Sequence, residues 1–301
     1  MVSLIGYMAD TLTYVGIFGL LSLSLNLEAG YTRLMNFGKV AFFAVGAYVS
    51  ALLTVSGAPF LAGLAGAILV AGLLGFLIAI PTLKLREDYL AITTIAVAEV
   101  VRLVLLNESS YGLGPMGIRN IPRPLSRFFG PTSYPLVYAG LVWAVLGACF
   151  LISQRIVNSP FGRVLRAIRE DETATEALGK DVFSFKTRAL VLGSCMAGAA
   201  GSIFAHYTSF VSPDMFMPLL TFSVWTMLIV GGTANNYGAI LGAFLIQIFD
   251  RSTRVLKDLV NISPGAQANL RWAVIGLLMI IFLMYRPEGV LGERKAKVTA
   301  G

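Results

Sequence analysis

Apolar stretches long enough to cross a lipid bilayer recur along almost the whole chain, at about residues 11–27, 38–56, 60–80, 89–107, 136–153, 187–207, 219–250 and 271–285. A hydrocarbon core takes about 20 residues of α-helix to span, against about ten for a tilted strand. In lipid the backbone must satisfy its own polar groups, so only helices or closed barrels can span it. Runs of this length select the helix. We expect an all-α fold, a polytopic transmembrane helical bundle of about 8–10 spans. Only 13% of the 301 residues are charged, roughly half the ~25% of a soluble domain. The 31 glycines suit helices whose backbones approach closely. Residues 1–301 are read as one transmembrane domain.

The formal net charge of +7 would point to nucleic acid in a soluble protein. Here it is read as Lys and Arg retained on cytoplasmic loops, with no nucleic-acid partner. Cys149 and Cys195 lie in apolar segments as small buried thiols, with neither metal-ligand spacing nor a disulfide framework. The N-terminus lacks a basic region and carries Asp10, so no cleavable signal peptide is expected.

Charge also sets orientation. Seven Lys and Arg fall between Arg155 and Arg188 in one connecting segment, which the positive-inside bias places in the cytoplasm. The tail "YRPEGVLGERKAKVTAG" is basic and is placed there too. Two cytoplasmic ends need an even number of crossings between them. One span at 187–207, one at 271–285 and a hairpin at 219–250 meet that condition. The hairpin is expected to break at "GGTANNYG", residues 231–238, where Gly and Asn favour a turn. Counting backwards puts 108–135 outside, "KLRED" (84–88) inside and the N-terminus outside. "EAGYTRLMNFG", residues 28–38, is a second place for a break within the membrane. "NFGKVAFFAVGAY" (36–48) echoes "NYGAILGAF" (236–244), as either an inverted repeat or chance similarity among Gly-rich helices.

The densest charge in the chain lies in "SPFGRVLRAIREDETATEALGKDVFSFK", residues 159–186. Val164, Leu165 and Ile168 share one side of a helix there. Arg163, Arg166 and Arg169 recur every three residues as a polar stripe. Thr173 and Glu176 have capping-box spacing, and Gly179 suits a helix stop. The expected product is helix, turn, short helix and stop at the cytoplasmic surface, with an ordinary solvated loop as the plainer reading.

Glu99 and Arg102, three apart on one apolar helix, are expected to form an intramembrane ion pair, because ionisable groups at that depth need partners. His206 follows Ser202 by one turn. With no motif to orient a nucleophile, it is read as an interfacial histidine and not as half of a catalytic dyad. No Walker A sequence is present, so the chain is not expected to be an enzyme or to hydrolyse ATP by that route.

"REDETATEALG" followed by "FSFKTRAL" resembles the cytoplasmic coupling loop of ABC importer permeases, specifically the branched-chain amino-acid permease family (LivM/LivH type). "LREDYLAITTIAVAEVVRLVL" (85–105), "GPMGIRNIPRP" (114–124), "AGAAGSIFAHYTSFVSPDMF" (197–216) and "GGTANNYGAILGAF" (231–244) resemble that family in the same order, over about residues 15–292. The chain departs from the family at Ala174-Thr175, where two alanines are usual, and at "GGTANN", where more glycine is common. The resemblance implies a permease subunit in the inner membrane of a prokaryote. It would be paired with a second, LivH-like permease on two ATP-binding cassette subunits and fed by an extracytoplasmic solute-binding protein. ATP and Mg would be bound by the partner subunits, so this chain needs no cofactor and no metal. The solute would be a branched-chain or similar hydrophobic amino acid. Urea, amides and other small organic solutes are the alternatives, with a self-sufficient secondary transporter behind them. Residues 155–188 become the coupling loop, in which Arg163, Arg166, Arg169, Glu170, Asp171, Glu172, Ala174, Glu176 and Gly179 would serve the ATPase. Asn36, Phe37, Gly38, Gly231, Gly232, Thr233, Asn236 and Gly238 would line the translocation path.

Overall fold

The computed structural model describes residues 4–83, 85–108, 114–126, 128–130, 133–257, 264–286 and 288–292. Lys84 in "KLRED" and the basic residues 294–297 of the tail lie outside the described residues, as does part of the 108–135 loop. The helices are α1 (Leu4–Leu25), α2 (Lys39–Val55), α3 (Phe60–Thr82), α4 (Glu87–Asn107), α5 (Tyr134–Asn158), α6 (Pro160–Glu170), α7 (Glu172–Ala177), α8 (Val182–Thr208), α9 (Leu219–Gly231), α10 (Asn236–Lys257) and α11 (Pro264–Tyr285). Two short strands, β1 (Ile118–Arg119) and β2 (Phe210–Val211), complete the described elements, with a π-helical turn at Asn26–Gly30 and a 3-10 turn at Pro213–Phe216.

Among the described residues, five helices are long and apolar enough to cross a membrane: α1 with its π-turn, α3, α4, α5 and α8. The bent pair α9–α10 makes a sixth such unit, and α2 and the 272–285 part of α11 are shorter apolar helices. The long 219–250 run is therefore not one rod. It turns through 119° at the break between Gly231 and Asn236, as the Gly-Asn cluster predicts.

Small residues explain the tightest packing. An added Cβ on Gly46 of α2 would stand 2.3 Å from the Gly198 carbonyl oxygen of α8, and one on Gly201 would stand 2.1 Å from that of Phe43. Gly198 likewise meets α3 at Ala67, 2.5 Å from its oxygen. Helices α2, α3 and α8 thus touch backbone to backbone, which supplies dispersion contacts where lipid removes the hydrophobic drive between helices.

At the end of α8 remote from α6 and α7, β1 pairs antiparallel with β2, Ile118 opposite Val211. Nearby, His206 Nδ1 lies 2.7 Å from the Pro122 carbonyl oxygen, and its Nε2 lies 3.0 Å from Ser50 Oγ. A carbonyl only accepts, so Nδ1 carries the proton and Nε2 accepts from Ser50. Ser50, not His206, bonds Ser202 at 2.7 Å. The histidine is a buried strut that ties the 114–124 loop to α2 and α8.

Candidate functional site

The charged stretch folds by successive caps. Ser159 caps α6, its hydroxyl accepting from the Gly162 amide, with Pro160 at the first helical position. Asp171 ends α6 and starts α7, its carboxylate accepting from the Ala174 amide at 2.9 Å. The capping box expected from Thr173 and Glu176 is therefore displaced. Thr173 sits inside α7, and the Asp171 side chain, at the residue before the helix, takes the cap. Gly179, at φ +77°, closes α7 in the left-handed region. Asp181 then caps α8 by accepting from Ser184.

Leu165 and Ile168 bury one face of α6 against the membrane helices. The arginine stripe does not stay together. A three-residue step falls about 60° short of a full turn, so the row winds around the helix. Arg163 is exposed, whereas Arg166 lies over the Tyr31 ring at 5.8 Å and Arg169 donates to the Gly30 carbonyl oxygen at 3.1 Å. Glu170, Asp171, Glu172, Ala174, Glu176 and Gly179 are exposed. The Glu172 carboxylate accepts from Lys186 Nζ and so ties α7 to the root of α8. Leu178 stands 80% exposed at the tip.

Gly30, where Arg169 attaches, belongs to a break in the membrane region. Here α1 loosens into the π-turn, the chain reverses through residues 31–38, and α2 starts at Lys39. Glu28 and Lys39, both fully buried, form an ion pair at 2.6 Å. Asn36 donates to the other Glu28 oxygen at 2.8 Å, and its own side-chain oxygen accepts from the Gly38 amide. A Cβ on Gly193 would fall 2.0 Å from Glu28 Oε1, so α8 leaves room for the carboxylate. Phe37 stacks on Trp225 of α9 at 4.8 Å, and Trp225 Nε1 donates to the Asn36 carbonyl oxygen. Gly38 abuts α4, with space for no Cβ before the Thr94 oxygen at 2.3 Å.

The second break separates α9 from α10. Its freed backbone groups face protein: the Val290 and Leu291 amides donate to the Val230 and Gly231 carbonyl oxygens, both at 2.9 Å. Gly231, Gly232 and Gly238 lie backbone to backbone with each other and with residues 289–292. Asn235 accepts from the Tyr237 amide, as Asn36 does from that of Gly38. The same side-chain turn thus opens α2 and α10, but Asn235 rather than Asn236 takes the role of Asn36, one residue out of register with the echo in the sequence. Asn26 joins the two breaks. It accepts from the Ala234 amide at 2.9 Å and donates to Asn236 at 3.0 Å, and Asn236 donates on to Gln154 of α5.

The residues expected to line a path are therefore gathered around α9, with Thr233 half-buried and most of the others buried against protein. Glu99 and Arg102 form the expected pair, with Arg102 Nε 2.9 Å from Glu99 Oε2 and the guanidinium also 3.7 Å from Asp214. Among the described residues, no group of three or more His, Cys, Asp or Glu could hold a metal ion.

Residues 7–283 match the family described as branched-chain amino acid transport system / permease component. The chain belongs to this permease family. It is 33% identical to the high-affinity branched-chain amino acid transport system permease protein LivM of Salmonella typhimurium, over 94% of this chain and 69% of that one. It is 31% identical to the probable branched-chain amino acid transport permease protein LivM of Methanocaldococcus jannaschii, over 94% and 92%. The solved structure of PsaBC from Streptococcus pneumoniae in complex with Fab shares the fold at a TM-score of 0.50 and 16% identity, covering 95% of this chain and 94% of that one. In this family member, sequence reading missed Glu28, Lys39, Asn26 and Gln154. The two ionisable residues at the ends of "EAGYTRLMNFGK", in an apolar context, were the available signal for the ion pair.

Proposed function

We propose that the chain carries branched-chain or similar hydrophobic amino acids inward as one of two permeases in the inner membrane of a prokaryote. Its partners are a second, LivH-like permease, two ATP-binding cassette subunits that bind and hydrolyse ATP, and an extracytoplasmic binding protein that delivers the solute. The observation that carries this reading is the α6–α7 platform. It exposes acids and Leu178 outward, and through Arg169 and Lys186 it grips the π-turn of α1 and the root of α8. A partner that displaced the platform would pull on both. The relatives named for branched-chain amino acid transport support the solute class.

The test is reconstitution of the full complex in vesicles, with leucine uptake, ATP turnover and ATPase pull-down measured together. Leu178→Asp puts a charge where an apolar contact is exposed. It should leave the permease inserted and paired yet abolish most ATPase association. Retained association and retained leucine uptake in this variant would overturn the docking reading.

A further inference from the structure

A cavity of about 110 Å³ lies between α1, α9, α10 and α11, lined by Tyr14, Ser223, Gln247, Asp250 and Trp272 among others. About 10–15 Å³ suffices for one water, so the space admits a small organic group. Ser223 and Gln247 are only 7% and 5% exposed. Both line the cavity with polar side chains, and polar groups at membrane depth mark solute paths. Asp250, one turn beyond Gln247, adds a carboxylate, while the Tyr14 and Trp272 rings give apolar walls. Arg251 turns elsewhere, pairing with Asp10 and lying 4.3 Å from the Tyr14 centroid.

We propose that this cavity is a transient subsite for the polar end of an amino-acid solute, on the reading that the complex carries amino acids. The solute ammonium faces Asp250 and the Gln247 side-chain oxygen. The Ser223 hydroxyl and the Gln247 amide donate to its carboxylate, and the apolar side chain lies along the rings. The subsite joins α9 and α10, the two arms of the bent pair, so solute there senses the angle between them.

The experiment uses the reconstituted complex with Ser223→Cys in a Cys149→Ala, Cys195→Ala background. Labelling of the introduced thiol by an ethylammonium methanethiosulfonate reagent is followed with and without leucine. Leucine at ~10 Kd should slow labelling about tenfold, and 4-methylpentanoate, which lacks the ammonium, should not. Gln247→Leu should lower leucine uptake about tenfold while ATPase association is kept. Labelling indifferent to leucine, in a complex that still takes leucine up, overturns the subsite and leaves a water-filled void. Failure of the amino-acid reading looks different, because the parent complex then takes up no leucine. A panel of small amines, amides and urea is scored in that case. Protection by any of them supports a polar-solute subsite, and protection by none overturns it.

Discussion

The break that follows α1 runs from Asn26 to Gly38 and is closed by buried charged side chains. The break between α9 and α10 takes only residues 232–235 and is closed largely by backbone from residues 289–292. Both interrupt a helix in the membrane region and leave amides and carbonyls to satisfy. Glycine solves this by contact, since Gly231 and Gly238 bring two backbones within reach of a third. In the first break only Gly30 and Gly38, at its two ends, meet another backbone in that way, and the bulky Tyr31, Leu34, Met35 and Phe37 between them keep other backbones off. Side chains fill the gap, at the cost of burying a carboxylate and an ammonium. One break is thus held by geometry and the other by electrostatics, and each fails differently.

The largest effect should come from removing one charge of the first break. Glu28→Ala leaves the Lys39 ammonium buried without its counter-ion, a loss of about 3–5 kcal/mol. The melting temperature of the purified complex in detergent should fall steeply. Glu28→Leu combined with Lys39→Met removes both charges together and should recover most of that loss. If Glu28→Ala melts with the parent protein, the ion pair does not hold this break.

The same contrast explains what could be read from sequence. "GGTANNYG" announces the second break because turn chemistry is local: Gly and Asn specify it within eight residues. The α6–α7 platform is legible as helix, turn, short helix and stop within one short window, although its second cap falls on Asp171 rather than on Thr173. The first break is only half legible. Glu28 and Lys39 are eleven residues apart across irregular backbone, and no helical or strand periodicity pairs them. The arginine row misleads for a related reason, since position along the sequence does not fix which face a winding stripe presents. Asn26, which meets Ala234 and Asn236, leaves no trace in its own neighbourhood.

An intermediate effect is expected at that junction. Asn26→Ala leaves the Ala234 amide and the Asn236 side chain each short of a partner, at about 1–3 kcal/mol. The loss should be confined to the breaks, because α8 packs through glycine contacts that Asn26 does not touch. Amide exchange of the reconstituted protein is the measurement. Exchange at 232–236 should quicken about tenfold or more while that of residues 190–205 stays constant. Equal quickening in both regions would mean that Asn26 supports the whole bundle rather than the meeting of the two breaks.

The smallest effect tests whether the second break stores strain. Ala234 sits at φ +59° beside Gly232 at φ +115°. An alanine in the left-handed region gives up about 1–2 kcal/mol, and glycine avoids this. Glycine in turn loses about 0.4–1 kcal/mol through the greater freedom of its unfolded chain. Ala234→Gly should therefore gain about 0.5–1 kcal/mol, a small rise in melting temperature with leucine uptake unchanged. Gly232→Ala should move the other way. Its Cβ would lie 2.6 Å from the Gly292 nitrogen, displacing the segment that satisfies Val230 and Gly231. The pair of variants thus separates backbone conformation from backbone contact at adjacent turns. If Ala234→Gly destabilises instead, the break is held by the packing of the buried Ala234 methyl, and the two breaks are less different than their chemistry implies.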